Sequence, residues 1–281
     1  MARDTGFPRA DVENDFLRVR RRQVLARLVN WLRREPDDVN LVLPYDEVIS
    51  ALGLRSERYA GVRTIPLDRV VGTVDTRRDF DRRFRPTSNR VRERWQRLAL
   101  AQRRGESIPP IDVFKVGDLY FVKDGHHRVS IAIATGQKTI EAYVTEVQTV
   151  MPAEGIHRRA DLIVKSYERE FNARVPLPAQ ARATITVSEP WSYAELGETV
   201  EAWAFRYLQA ERMFLDRQQV ARRWYSEEYV PVVRLLRDAD LIGTKQTEAE
   251  AYLRVAAERY RLLRTHEWSD EIVARLRREI K

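Results

Sequence analysis

Between residues 111 and 144 the order of apolar runs and breakers leaves few local folds open. Ile111-Asp112-Val113-Phe114-Lys115-Val116 and Leu119-Tyr120-Phe121-Val122 are β-rich runs parted only by Gly117-Asp118, which is hairpin spacing. After Lys123 comes the polar run Asp124-Gly125-His126-His127-Arg128. Val129, Ile131, Ala132, Ile133 and Ala134 then predict a short helix closed by Gly136, the residue that most easily takes the left-handed conformation at a helix end. Thr139 to Val144 returns as a strand. A hairpin, a short helix and a strand in that order make an α/β unit with a polar turn at its strand-to-helix junction.

Chemistry, if the chain has any, is expected at that turn. Glycine lets backbone N–H groups approach a ligand, and the first turn of a helix presents unpaired donors with a partial positive charge. Anions suit such a place, so Gly125, His126, His127 and Arg128 are the candidate phosphate-binding residues, Arg128 as a planar fork for two oxygens. Asp124 and His127 are the candidate catalytic pair, the carboxylate placing Mg²⁺ or a hydroxyl and the imidazole assisting proton transfer. A plainer alternative makes Asp124 only the N-cap of the helix. Adjacent histidines point about 100° apart on a helix and do not chelate one metal as an i, i+4 pair would. With four histidines and no cysteine in 281 residues, no metal site is expected, and no zinc, haem or flavin.

Composition sets the outer limits. The length allows two modest domains with their own cores, and 43% hydrophobic residues describe a soluble globular protein. No apolar run approaches the roughly 18 residues of a membrane span, and Met1 to Gly6 lacks the layout of a signal peptide. A cytoplasmic protein with no membrane partner is expected. The formal net charge is +8 and nearly all the cations are arginine. Arg18-Val19-Arg20-Arg21-Arg22, Arg82-Arg83-Phe84-Arg85 and Ala221-Arg222-Arg223-Trp224 are candidate phosphate contacts, although nearby carboxylates such as Asp79 and Asp81 offer them partners as well.

The residues around the turn resemble the ParB N-terminal/sulfiredoxin superfamily, which includes partition proteins, sulfiredoxins and ADP-dependent serine kinases. Ile65-Pro66-Leu67-Asp68-Arg69-Val70 resembles the opening strand of such a domain. Arg77-Arg78-Asp79-Phe80-Asp81 resembles the Arg-rich, Phe-Asp segment after it, and Ile108-Pro109-Pro110-Ile111 the step into the hairpin. The likeness runs over residues 62–147 and implies a ParB/sulfiredoxin-like mixed α/β fold. It also makes Arg77, Arg78, Asp79 and Asp81 candidate accessory site residues. Sulfiredoxin chemistry is excluded, because His126 stands where the reactive cysteine would be and imidazole does not replace sulfur in thiol exchange. The Asp-Gly-His-His-Arg form is most similar to that of the serine-kinase relatives, whose loop borders a nucleotide phosphate. The implied ligand is a nucleoside di- or triphosphate with Mg²⁺.

Three parts are expected: an amphipathic helix and connecting arm over 1–61, the ParB-like domain over 62–147, and a mostly α-helical C-terminal domain over 148–281. The first helix, Asp11 to Arg34, places Leu17, Val24, Leu25, Leu28 and Leu32 along one stripe, expected to dock on its own domain. Within 172–190, Thr184-Ile185-Thr186-Val187 is expected as a strand in a linker or lid. Helices then run over Tyr193–Leu215, Val220–Leu241, Ala249–Leu263 and Asp270–Ile280, their aromatics read as core. This tail is similar to that of a bacterial family pairing a ParB-like domain with a helical C-terminal region. Three functions remain open. The first is a regulatory nucleotide- or phosphate-binding protein associated with nucleic acid, with a homodimer as one assembly. The second is a small-molecule phosphotransferase. The third is a ParB-type nuclease or non-specific DNA-binding protein.

Overall fold

The hairpin and the helix after it form where the sequence places them. A computed structural model describes residues 5–34, 41–75 and 79–263. In it β4 (Ile111–Val116) and β5 (Leu119–Asp124) pair antiparallel around Gly117, whose φ of 57° is left-handed. Helix α4 (His126–Ala134) follows, and β6 (Thr139–Thr149) returns parallel to β4. Three more strands complete a six-stranded mixed sheet: β1 (Leu43–Pro44), β2 (Leu54–Pro66) and β3 (Val70–Thr73), in the order β1-β3-β5-β4-β6-β2. The expected boundary at 61/62 falls inside β2, and that at 147/148 inside β6.

Alternation along the central strands sends side chains to two faces. Val113 and Val122 join Ile65, Ile111, Val129 and Val144 under α4. Val116 and Phe121 join Leu43, Val48 and Leu52 under α2 (Tyr45–Leu52). Helix α3 (Arg92–Arg103) packs beside α4 through Trp95, whose indole N–H donates to Ser130 Oγ at 2.9 Å in the buried layer. Helix α1 (Pro8–Leu32) lies on α3.

The docking of α1 reverses the expected one. Its buried residues are Asp11, Val12, Asp15, Phe16 and Val19, whereas Leu17, Val24, Leu25, Leu28 and Leu32 are exposed. Charge fixes the face. Arg103 of α3 reaches Asp15 at 2.6 Å and Asp11 at 3.5 Å, and Thr5 donates from both N and Oγ1 to Asp11. Buried carboxylates must be paired, so the helix is turned with its acids inward, and the apolar stripe on the far side goes to solvent.

The chain divides into two compact units at Leu162/Ile163, within α5 (Arg159–Arg174). The second unit is mostly helical: α6 (Ala179–Thr184), α7 (Ser192–Glu211), α8 (Arg217–Arg223), a π-helical turn (Trp224–Tyr229), α9 (Val230–Asp238) and α10 (Glu248–Leu263). The strand expected over 184–187 is absent. Residues 179–184 are helical instead, and Thr184 Oγ1 bonds back to Ala181 O at 2.8 Å. The wide turn precedes Val230-Pro231, and Pro231 has no N–H to return to the carbonyl four residues back. Trp203, Trp224, Tyr229 and Tyr252 are buried core, as their spacing predicts. Helix 270–280 and the pair Arg77 and Arg78 lie outside the described residues. Among the described residues no helix is long and apolar enough to cross a membrane.

Candidate functional site

Asp124 to Arg128 does form the strand-to-helix turn, but its two charged side chains are paired with each other. Gly125 caps α4 with φ 109°. A Cβ there would lie 2.5 Å from Ile111 Cγ2 and 3.1 Å from Arg128 Nε, so the glycine serves close packing of helix on strand. The Arg128 guanidinium donates to Pro109 O and Pro110 O, each at 2.7 Å, and pairs with Asp124. It thereby ties the Pro-Pro step before β4 to the start of α4, with most of its donor capacity used. The Asp124 carboxylate, 66% exposed, goes to Arg128, and α4 has no side-chain N-cap bond. The plain N-cap reading of Asp124 is therefore corrected.

The histidines face a different wall. His126 Nε2 lies 2.6 Å from Thr73 Oγ1, and Asp75 N donates to the same hydroxyl oxygen at 2.9 Å. The motif is thus latched to the end of β3. Phe80 lies against both rings and Phe84 against His126. Burial lowers both imidazoles, that of His127 to about 4, with Arg94 adding to the effect and Asp79 and Asp124 opposing it. Both rings are neutral near pH 7. His127 Nδ1 is buried without a partner. Among the described residues the N–H groups of His126, His127 and Arg128 have no acceptor, as expected of a helix start. Asp75, Asp79 and Asp124 all act on His126 electrostatically, against Arg94 alone. The described residues bring no three His, Asp or Glu side chains together as a metal site; a Mg²⁺ arriving on phosphates needs only one or two carboxylates.

The loop over 79–87 connects this turn to a second feature. Asp81 is buried and accepts from Arg83 N, Arg85 N and the Arg85 guanidinium, all at 2.8–3.0 Å. As an accessory residue it is a staple for the loop, with no carboxylate oxygen turned to the histidines. Asp79 O accepts from Thr87 N at 2.9 Å, and Phe84 sits at φ 51°. Such a left-handed conformation for a bulky residue is held only where the surroundings over-determine it. The loop sends Phe80 and Phe84 inward to the histidines and Arg82, Arg83 and Arg85 to a cleft of about 1210 Å³.

That cleft is strongly basic. Arg33, Arg82, Arg83, Arg85, Lys138 and Arg158 line it, against the single carboxylate of Asp68. Arg85 is taken by Asp81, and Arg158 lies 3.5 Å from Asp161. Arg83 and Lys138 have no ion-pair partner among the described residues. Burial pulls the Arg82 guanidinium below its ordinary value, opposed only by Asp161, and its Nη1 is buried without an acceptor. Sequence reasoning singled out the 82–85 cluster. It missed Lys138 in the α4–β6 connection, Arg33 at the end of α1 and Arg158 just before α5, which only the fold brings to the same wall, and it missed Thr73, whose hydroxyl carries no motif.

No family model matches the chain, and no curated protein matches it. Among solved structures it is similar to a Pnob8-like ParB-N domain in its C2221 form, at 12% identity and TM-score 0.24, over 75% of this chain and 84% of that one. It is also similar to a pNOB8-like ParB N-domain, at 13% identity and TM-score 0.23, over 75% and 78%. A likeness of that degree carries no weight for function.

Proposed function

We propose that the sheet unit binds phosphate-bearing polymers, nucleic acid first among them, through the basic cleft rather than through Arg128, and without sequence preference. The observation that carries this reading is the imbalance of the cleft wall, where Arg83 and Lys138 have no ion-pair partner among the described residues and Asp68 is the one lining carboxylate, with the half-buried Arg82 beside them. Arg82 lines the cleft with its charge opposed only by Asp161, and a phosphate entering the cleft neutralises that field. Backbone recognition of this kind is electrostatic and blind to sequence. The test is fluorescence anisotropy with a labelled random duplex at two salt concentrations. Arg82, Arg83 and Lys138 together give a log-log salt slope of about −3, at about 0.9 per phosphate neutralised. Arg83→Glu with Lys138→Glu should weaken binding tenfold or more and shrink the slope by about 2 on the same basis. Unchanged affinity in that double variant would overturn the reading.

A second reading keeps the nucleotide at the turn, and one observation favours it: three N–H groups at the start of α4 lack acceptors beside the unpartnered His127 Nδ1. Three carboxylates near His126 make a bare phosphate a poor guest there, so this reading requires Mg²⁺ with the nucleotide. Phosphoryl transfer further requires Asp124 to leave Arg128 and the neutral His127 to take up a proton. A thermal-shift panel of ADP, ATP and CTP with and without Mg²⁺ separates the readings. A Mg²⁺-dependent nucleotide shift retained in the cleft variant favours the turn, and a shift lost with it favours the cleft.

A further inference from the structure

Building on the reading of the basic cleft as a site for phosphate-bearing polymers, we propose that it prefers RNA to DNA and that the Asp68 carboxylate accepts a hydrogen bond from a ribose 2′-hydroxyl. Asp68 is exposed in the short helical turn Leu67–Arg69 and is the one carboxylate lining the cleft. Arg82, Arg83 and Lys138 line the same cleft, yet among the described residues the Asp68 side chain has no ion pair and no hydrogen bond. The backbone fixes its nearest cation. Pro66 ends β2 opposite Thr139 of β6, and Leu67 N donates to Lys138 O at 2.9 Å. Asp68 and Lys138 therefore rise from adjacent backbone, a carboxylate beside an ammonium.

Hydrogen-bonding capacity selects the polymer. A carboxylate repels phosphate unless it accepts something from the same ligand, so its place among the cations suits a chain that carries donors as well as charge. A DNA backbone carries none, because its phosphate and ether oxygens only accept and its donors lie on base edges. An RNA backbone adds one 2′-hydroxyl per nucleotide, donor and acceptor at once, and this is the group by which a protein tells the two polymers apart. Carboxylates take ribose hydroxyls in the same way in dinucleotide sites. Among the described residues no phenylalanine, tyrosine or tryptophan lines the cleft. Bases therefore find no stacking platform there, and discrimination falls to the sugar and phosphate, which agrees with binding that ignores sequence.

The experiment is fluorescence anisotropy of the full chain with labelled oligouridines of one length carrying 2′-hydroxyl, 2′-hydrogen or 2′-fluoro sugars, in EDTA. Equal phosphate number cancels the electrostatic contribution, and the fluoro sugar keeps an RNA-like pucker without a donor. The hydroxyl form should bind about tenfold tighter than the other two, the low end for a hydrogen bond to a charged group. Asp68→Ala should bring the three forms together while holding or raising affinity for the 2′-hydrogen form, because a repelling charge is gone. Asp68→Asn, which keeps an acceptor, should retain part of the ratio. Both substitutions fall on an exposed side chain and should leave the calorimetric midpoint unchanged. A ratio that survives Asp68→Ala would overturn the proposal. So would a fluoro form that binds like the hydroxyl form, which assigns the preference to pucker, or a preference that needs Mg²⁺, which assigns the carboxylate to a cation. Equal binding of all three by the wild type, abolished in Arg83→Glu with Lys138→Glu, would remove the preference and leave the cleft as a polymer site; no binding of any form at low salt would remove both.

Discussion

Replacing Gly125 by alanine distinguishes a glycine kept for ligand approach from one kept for packing. The new Cβ would stand 2.5 Å from Ile111 Cγ2, 2.8 Å from Ile111 Cβ and 3.1 Å from Arg128 Nε, at φ 109°. A left-handed backbone costs an L-residue about 1–2 kcal/mol, and overpacking a tight contact adds about 1–3. Restricting the unfolded chain returns about 0.5 kcal/mol, so the net destabilisation is about 2–4 kcal/mol. For a unit of this size each kcal/mol moves the midpoint by about 2–4 °C, giving a fall of roughly 4–16 °C. Differential scanning calorimetry of the full chain is the assay, since units that unfold separately give separate peaks. The steric part should diminish in an Ile111→Ala background, where Cγ2 is gone, leaving mainly the backbone cost and a coupling of about 1–2 kcal/mol. A midpoint unchanged in Gly125→Ala, or the same loss with and without Ile111, would refute the packing argument.

Two other outcomes follow from the same layer. Ser130→Ala removes the acceptor of the buried Trp95 N–H and should cost about 1–3 kcal/mol, read as a lower calorimetric midpoint; an unaltered midpoint would mean that the indole finds another partner. The imidazoles give a pH dependence of definite sign. Both His126 and His127 are depressed below 6.5 in the folded chain, His127 to about 4, so between those values the unfolded chain binds protons that the folded one refuses. Stability is then fully present above about pH 6.5 and is lost as pH falls towards 4. Urea midpoints across that window should show the slope shrink in His127→Gln by about one proton at most, and an identical slope in that variant would count against a neutral, buried ring.

How much was legible follows what each signal depends on. The β4–β5 hairpin, α4 and its Gly136 terminator are local, set by alternation and by glycines at positive φ, and local pattern is what a sequence displays. Strand β2 was recognisable only at its end. Its residues Arg55-Ser56-Glu57-Arg58 are polar because it is an edge strand paired with β6 alone and exposed along most of its length, so neither face carries the apolar alternation that marks a strand. The docking face of α1 was illegible for a related reason. Periodicity identifies an apolar stripe, but here the inward face was chosen by two carboxylates meeting Arg103, a residue 88 positions beyond Asp15.

The site divides along the same line. A motif names residues that sit together in sequence, and Asp124 to Arg128 do sit together; what it cannot express is that two proline carbonyls from outside it join Asp124 in occupying Arg128. Conversely, the cleft draws its cations from four separate segments, around residues 33, 82–85, 138 and 158, none adjacent to the motif. An arginine serves a ligand only to the extent that the fold leaves it without a carboxylate or carbonyl. That condition separates Arg128, held by Asp124 and two proline carbonyls, from Arg82, whose buried Nη1 meets none. Charge left unmatched by the fold, more than proximity to a recognisable turn, is therefore the ground on which the proposed anion site rests.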